Sequence, residues 1–165
     1  MENLLGKQVI STDGKRKPDN SREVFPMGKK KTQKGYIYER DGKQCIYCGK
    51  QLKFRQMSLD HYYPRSMGGP DDLFNMALSC RSCNKLKKSR VPEDWKERAV
   101  RQFKRAVDDG KILAPGSKMK SADLKEIAGQ VDKIERMGKV SVFLSKSHSF
   151  HVRNDIIIKV SKVKR

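Results

Sequence analysis

Four cysteines and one Asp-His pair have the residue types and spacing to do chemistry. The cysteines form two C-x-x-C pairs, Cys45 with Cys48 and Cys80 with Cys83, with 31 residues between them. Two such pairs can present four thiolates to one tetrahedral Zn²⁺. A disulfide is disfavoured in a reducing cytosol, and a redox dithiol needs a βαβ pattern that the sequence lacks. We therefore predict a structural zinc site.

Between the cysteine pairs lies Asp60-His61, and Asn84 directly follows the last cysteine. Histidine is the side chain that readily takes a proton near neutral pH, so His61 is a candidate general base. The Asp60 carboxylate is a hard oxygen ligand suited to Mg²⁺, and the amide oxygen of Asn84 can complete such a site. Neighbouring strand residues point to opposite faces, so one site needs a strand end or bend here. Pro64 and the Gly-rich loop 66–72 can supply that irregularity.

These residues belong to a longer ordered pattern. It reads D-H-x-x-P-R-S-x-G-G, an acidic pair, an Asn before an apolar pair, and C-x-x-C-N-x-x-K. The pattern resembles the HNH endonucleases of the zinc-containing, McrA-like kind, and the resemblance covers residues 36–91, about a third of the chain. It implies an α+β fold with a small ββα-metal (His-Me finger, treble-clef-like) core. A hairpin would carry Asp60-His61 and a helix Asn84, and both would face the minor groove of DNA.

The resemblance also implies the chemistry, which is phosphodiester hydrolysis. His61 would activate water, while Asp60 and Asn84 would hold Mg²⁺ or Mn²⁺ to polarise the phosphate and stabilise the leaving 3′ oxygen. Relatives carry His or Asp at the first position and His or Asn at the last. The Asp and Asn of this chain favour a hard, oxygen-loving metal. Asn75, the middle residue of the motif, is expected to hold the loop through bonds to the backbone rather than to react.

Basic residues around the motif could contact the DNA backbone. A solvated helix face is the alternative for the run after Asn84, and packing across the loop is an equal alternative for Arg65. His148 and His151 have no partner motif, so we expect them to be structural. The candidate phosphate contacts are Arg65, Lys85, Lys87, Lys88 and Arg90.

Composition points to the same class of partner. The 165 residues include 38 Lys and Arg against 19 Asp and Glu, a net charge of +19, which favours a polyanion such as nucleic acid. Hydrophobic residues are 36% of the chain, which suits one modest core. No apolar run approaches a membrane span, and the N-terminal sequence lacks a secretory apolar stretch, so we expect a cytoplasmic protein with DNA as partner. Monomer and dimer stay open.

Four segments are expected to position these groups. Residues 1–35 are predicted to be a flexible basic arm and 36–91 the nuclease domain with its zinc site. Apolar residues at three- and four-residue steps predict two amphipathic helices within 92–138, ending at Gly110 and Gly138. Alternating and β-branched residues predict a basic β tail over 139–165, built as a hairpin or three strands.

The same residues are also compatible with two functions from other classes. The chain could be a zinc-stabilised nucleic-acid-binding module that does not cleave, or a structural zinc protein of a ribonucleoprotein assembly. Asp60-His61 together with Asn84 discriminates, because a pure binder has no reason to carry that set.

Overall fold

The structure, a computed structural model, describes residues 29–164 and the side chains of residues 33–164. Gln33–Arg165 forms one compact unit. Most of the predicted basic arm, residues 1–28, lies outside the described residues.

A hairpin and a short helix form the centre of the motif region. Strand β1 (Met57–His61) pairs antiparallel with β2 (Met76–Cys80), so that Asp60 lies opposite Ala77 and His61 opposite Met76. Helix α2 (Arg81–Lys87) follows β2 without a break and carries Asn84. Helix α1 (Lys29–Arg40) precedes the hairpin in the chain. The mixed helix-and-strand arrangement confirms the predicted α+β class.

Helix α3 (Trp95–Asp108) follows the predicted pattern. Its apolar stripe, Ala99, Phe103, Ala106 and Val107, is buried as the three- and four-residue spacing indicated. Gly110 terminates the segment with a φ of +68°, a backbone conformation that glycine adopts without steric cost.

Helix α4 (Ser121–Gly129) is shorter than predicted. The segment expected to continue it to Gly138 instead forms β3 (Lys133–Arg136), in which Ile134 is buried between exposed neighbours. Short apolar spacings fit either period, so the sequence alone could not separate helix from strand here. In the folded chain this segment is a strand because it pairs antiparallel with β4.

The β tail holds three strands, one of the two arrangements predicted, and β3 joins them to make a four-stranded antiparallel sheet. Its order is β3-β4-β5-β6, with β4 at Ser141–Leu144, β5 at His148–Arg153 and β6 at Ile156–Lys162. The two residues between β5 and β6, Asn154 and Asp155, both have positive φ (54° and 60°). That combination makes the tight two-residue turn that matches the twist of a hairpin.

One aromatic cluster joins the motif region to the rest. Phe74, just before β2, meets Phe143 of β4 edge-on at 4.9 Å between ring centroids. Phe143 also stacks on Phe103 of α3 at 4.2 Å, and Phe103 contacts Phe150 of β5 at 5.8 Å. All four rings are almost fully buried. The hairpin, α3 and the sheet therefore share one core.

A buried ion pair links α1 to the same core. Arg40 bonds Asp41 and donates to the carbonyl oxygens of Leu73 and Met76 at 2.7 and 2.6 Å. Asp41 in turn accepts the backbone N–H of Leu78 at 2.9 Å. Buried charges are tolerated only when they are paired and hydrogen-bonded, and here both conditions are met. Through these bonds the pair holds the first residues of β2 against the end of α1.

Replacing Phe143 by Ala should lower the free energy of unfolding by about 3–5 kcal/mol, because a ring shared by three elements is lost from the core. Urea unfolding followed by far-ultraviolet circular dichroism and by Trp95 fluorescence should give one coincident transition in the zinc-bound protein. The matched control, Leu86→Ala, removes a side chain of a residue that is 69% exposed, and should change the free energy by less than about 0.5 kcal/mol. Two separate transitions in the wild type would contradict a shared core.

Candidate functional site

The four cysteines lie together as a metal site requires. Their Sγ atoms are all within 4.8 Å of one another, and those of Cys48 and Cys80 are 4.0 Å apart. A tetrahedral Zn²⁺ with bonds of about 2.3 Å sets its sulfur ligands about 3.8 Å apart, so this cluster fits zinc. Burial raises the pKa of Cys45, but backbone N–H bonds from Cys80, Cys48 and Tyr47 outweigh it and lower that pKa to about 7. Cys45 thus favours the thiolate, the form that binds metal, whereas the bond to Cys80 raises the pKa of Cys83 to about 12.

The cysteine cluster joins the turn of Cys45 and Cys48 to the junction of β2 and α2. Cys80 is the last residue of β2, and its Sγ accepts the backbone N–H of Cys83 at 3.4 Å. From α2, Asn84 Nδ2 donates to Ser58 Oγ at 2.8 Å and to the carbonyl oxygen of Leu59 at 3.4 Å. These bonds dock α2 on β1. They use the donor end of the Asn84 amide and leave its oxygen as the end that can ligate a cation.

Asp60 is buried and engaged on one side of β1. Lys87 Nζ lies 3.0 Å from Asp60 Oδ2 and also donates to the backbone oxygen of His61 at 2.7 Å. The Tyr47 hydroxyl donates to the same carboxylate. Burial, followed by the bond to Asp60, raises the pKa of Tyr47 far above its ordinary value, so the phenol keeps its proton and remains a donor.

His61 points away from Asp60. Its Nε2 lies 2.6 Å from Asp71 Oδ1, across the Gly-rich loop. The two members of the Asp-His pair thus have different neighbours, as expected for adjacent strand residues. The end of β1 brings both close to α2 and the loop, but the side chains do not contact each other.

The loop after His61 is held by Asn75 and by close backbone contact. Asn75, 1% exposed, accepts the N–H of Tyr63 at 2.8 Å and donates to the carbonyl oxygens of Tyr63 and Pro70 at 3.1 and 2.9 Å. A Cβ at Gly69 would lie 1.9 Å from the Tyr63 oxygen, so only glycine fits there. Both polar ends of the Asn75 amide are thus used on the backbone.

Four of the five candidate phosphate contacts are exposed, and Lys87 is the exception. Its ammonium is turned inward onto Asp60 and the His61 carbonyl, and the residue is 6% exposed. In this conformation it is not available to a phosphate, because the helical turn that carries it faces β1. Arg65, Lys85, Lys88 and Arg90 are exposed around the site.

Two side chains that contact the site were not singled out from the sequence, and a third was assigned another role. Tyr47 stands between the first two cysteines, and nothing local marks it as a partner of Asp60. Asp71 is the first of the acidic pair after the two glycines, and that pattern was its only signal. Lys87 was singled out, but for DNA instead of for Asp60. His148 and His151 lie on β5, away from the motif hairpin in sequence and sheet.

Among residues 29–164, no helix has the length and apolar composition needed to cross a membrane.

The chain matches known proteins at the level of a family and of a single relative. Residues 45–90 match the family described as HNH endonuclease, a stretch that holds all four cysteines, Asp60-His61 and Asn84. Over 108 residues the chain is 26% identical to the CRISPR-associated endonuclease Cas9 of Corynebacterium diphtheriae, which covers 63% of this chain and 10% of that protein. The chain thus spans only about a tenth of the curated relative's length. The matches confirm the resemblance to HNH endonucleases and support a nuclease at the family level.

Removing one cysteine should remove the zinc. Cys48→Ser replaces an exposed ligand, so little packing is lost, while a hydroxyl is a much poorer ligand than a thiolate for this metal. We expect about one zinc per chain in the wild type, far less in the variant, and a lower unfolding midpoint, measured by elemental analysis and thermal melting. Ser82→Ala, an exposed change in the same cysteine loop, is the control and should keep its zinc. Full zinc content in Cys48→Ser would contradict the four-thiolate site.

Adding one methyl group at Gly69 should disturb the loop. The new Cβ meets backbone oxygens, which cannot swing aside, so Gly69→Ala should cost about 1–3 kcal/mol of unfolding free energy as an overpacked site. Gly116→Ala is the matched control, because nothing lies within 4 Å of its Cβ position, and it should change stability by less than about 1 kcal/mol. Equal urea midpoints for both variants would show that the close approach to Tyr63 is not needed.

Proposed function

We propose that this protein is a metal-dependent HNH endonuclease that hydrolyses phosphodiester bonds of DNA. The observation that supports this best is the end of β1, where Asp60 and His61 lie beside a helix that is docked on the same strand through Asn84. The family match over residues 45–90 supports the reaction class.

His61 is the proposed general base. It takes the proton of a water molecule as the water oxygen attacks phosphorus, a task suited to imidazole near neutral pH. Its side chain is 21% exposed, so a water can reach the ring from one side. Asn75 holds the loop that flanks it, so we assign Asn75 to positioning and not to the reaction.

Asp60 and Asn84 are the proposed ligands of the reaction's metal ion. One carboxylate and one amide oxygen are hard donors that suit Mg²⁺ or Mn²⁺, whose other positions water and phosphate oxygens can fill. Such an ion would polarise the phosphate and stabilise the leaving 3′ oxygen. Asp60 must then share its carboxylate between this ion and Lys87, which already stands 3.0 Å away.

DNA is the proposed substrate because the surface around the hairpin is basic. Arg65, Lys85, Lys88 and Arg90 are exposed, and the whole chain carries a net charge of +19. Contacts to phosphates of this kind bind without regard to sequence and weaken steeply with salt. We propose residues 36–91 as the nuclease region and the later helices and sheet as its support.

The second candidate is a zinc-stabilised module that binds nucleic acid without cleaving it. One observation favours it, namely that Asp60 is already paired with Lys87 and Tyr47 and so needs no metal to be satisfied. The charge and the cysteines suit both candidates equally well.

A supercoiled plasmid separates the two candidates. The purified zinc-bound protein should convert it to open-circular or linear DNA with Mg²⁺ or Mn²⁺ but not when Ca²⁺ replaces them. Omission of the metal is preferable to EDTA, which can strip zinc from the thiolates. His61→Ala should lower the cleavage rate by about 10²–10⁴-fold, the usual contribution of a general base, while it still shifts DNA in a gel.

His148→Ala is the matched control, since it also removes an imidazole, and it should cleave like the wild type. Wild-type rates in His61→Ala would exclude His61 as the base. A wild-type protein that binds DNA in a salt-sensitive way but leaves the plasmid and genomic DNA intact would favour the binding module.

A further inference from the structure

The His61 ring has a carboxylate partner outside the Asp-His pair. Its Nε2 lies 2.6 Å from Asp71 Oδ1, and no hydrogen bond to Nδ1 is found among the described residues. An ionised carboxylate only accepts hydrogen bonds, so Nε2 carries the hydrogen of the neutral ring. The other nitrogen, Nδ1, is then the one with a free lone pair.

We propose that Asp71 is a positioning residue for His61, which holds Nε2–H and so presents Nδ1 to the attacking water. This inference rests on the proposed nuclease function. In that reaction the water proton moves to Nδ1, and the oxygen–phosphorus bond forms. The bond from phosphorus to the 3′ oxygen breaks, and that oxygen keeps the electron pair and takes a proton from solvent. The imidazolium that results lies against the Asp71 carboxylate, which stabilises it as the carboxylate of a catalytic triad does.

Asp71 is held in place from outside the matched segment. Gln33 Nε2 donates to the backbone oxygen of Asp71 at 2.7 Å and lies 3.3 Å from Asp155 Oδ2. Asp155, in the β5–β6 turn, accepts the N–H of Leu73 at 2.7 Å and donates its own N–H to Asp72. The loop that carries Asp71 is therefore fixed between α1 and the C-terminal sheet. An exposed ion pair between two mobile side chains contributes little to stability. The Asp71 carboxylate differs because the backbone that carries it is held by hydrogen bonds.

Electrostatics makes the proposed role distinguishable from a role in binding. A carboxylate near the reacting phosphate repels a polyanion, so its removal should leave DNA affinity unchanged or raise it. A loss of rate without a loss of affinity is then what positioning predicts.

The test compares Asp71→Ala and Asp71→Asn with Asp132→Asn, which makes the same charge change at an exposed residue away from the site. Single-turnover plasmid cleavage at saturating protein should fall about 10- to 100-fold in both Asp71 variants, as is usual when the partner that orients a functional histidine is lost. The Kd for DNA, measured with Ca²⁺ in place of Mg²⁺, should be unchanged or lower. Asp132→Asn should match the wild type in both measurements.

Nuclear magnetic resonance of the imidazole nitrogens tests the contact without any cleavage. In the wild type, neutral His61 should carry its hydrogen on Nε2. The amide of Asp71→Asn can donate to Nε2 and should shift His61 toward the Nδ1–H form, while His148 and His151 serve as internal references. Circular dichroism and zinc content confirm that the variants are folded, and the isosteric Asn variant covers a failure of the Ala variant to fold.

The outcomes separate the two proposals. If the wild type cleaves and both Asp71 variants cleave at its rate, the positioning role is overturned and the nuclease stands. If the wild type binds DNA but never cleaves it, the nuclease proposal fails, and so does the positioning role of Asp71 in cleavage. A His61 nitrogen spectrum that is identical in the wild type and Asp71→Asn overturns the contact itself.

Discussion

The whole site depends on how closely the backbone after His61 returns upon itself. The buried Asn75 amide binds the N–H and oxygen of Tyr63 and the oxygen of Pro70, which draws residues 63–75 into one closed loop. Gly69 makes the approach possible, because any side chain there would overlap the Tyr63 carbonyl. Without that closure, Asp71 could not lie beside His61, and β1 would lack the sharp ending at which its last two side chains find separate partners.

Buried charge is the second constraint, and it acts along β1. Lys87 compensates Asp60 and binds the His61 carbonyl at once, so one ammonium fixes both the carboxylate and the backbone of the next residue. Removing one partner of a buried pair is costly because it leaves an uncompensated charge. The cysteine cluster holds the junction of β2 and α2 against the turn of Cys45 and Cys48, and so orients α2, from which Lys87 and Asn84 reach β1.

The segment with family similarity is not an isolated unit of this fold. Phe74 packs edge-on against Phe143, which stacks on Phe103, and both of these rings lie outside the matched residues 45–90. Asp155 of the β5–β6 turn accepts the backbone N–H of Leu73, between Asp71 and the start of β2. A motif of this size buries too little apolar surface to be stable by packing alone. The appended helices and sheet extend its core, and a zinc ion held by the four cysteines would stabilise it further.

The sequence by itself determined the features that depend on local spacing. Two C-x-x-C pairs placed four thiols in one cluster, Asp60-His61 fell at the end of a strand, and Asn84 fell in the helix after the last cysteine. Each follows from residues close in the chain and from a long ordered pattern. The tertiary structure alone decided the rest. Lys87 reads as one more cation in a basic run, and only the packing of α2 on β1 turns it inward. Tyr47 and Asp71 acquire their partners through contacts across 13 and 10 residues. Ile134 suits a helix by its spacing, yet pairing with β4 makes it part of a strand. Burial, strand pairing and charge compensation are properties of the assembled core, and no local pattern encodes them.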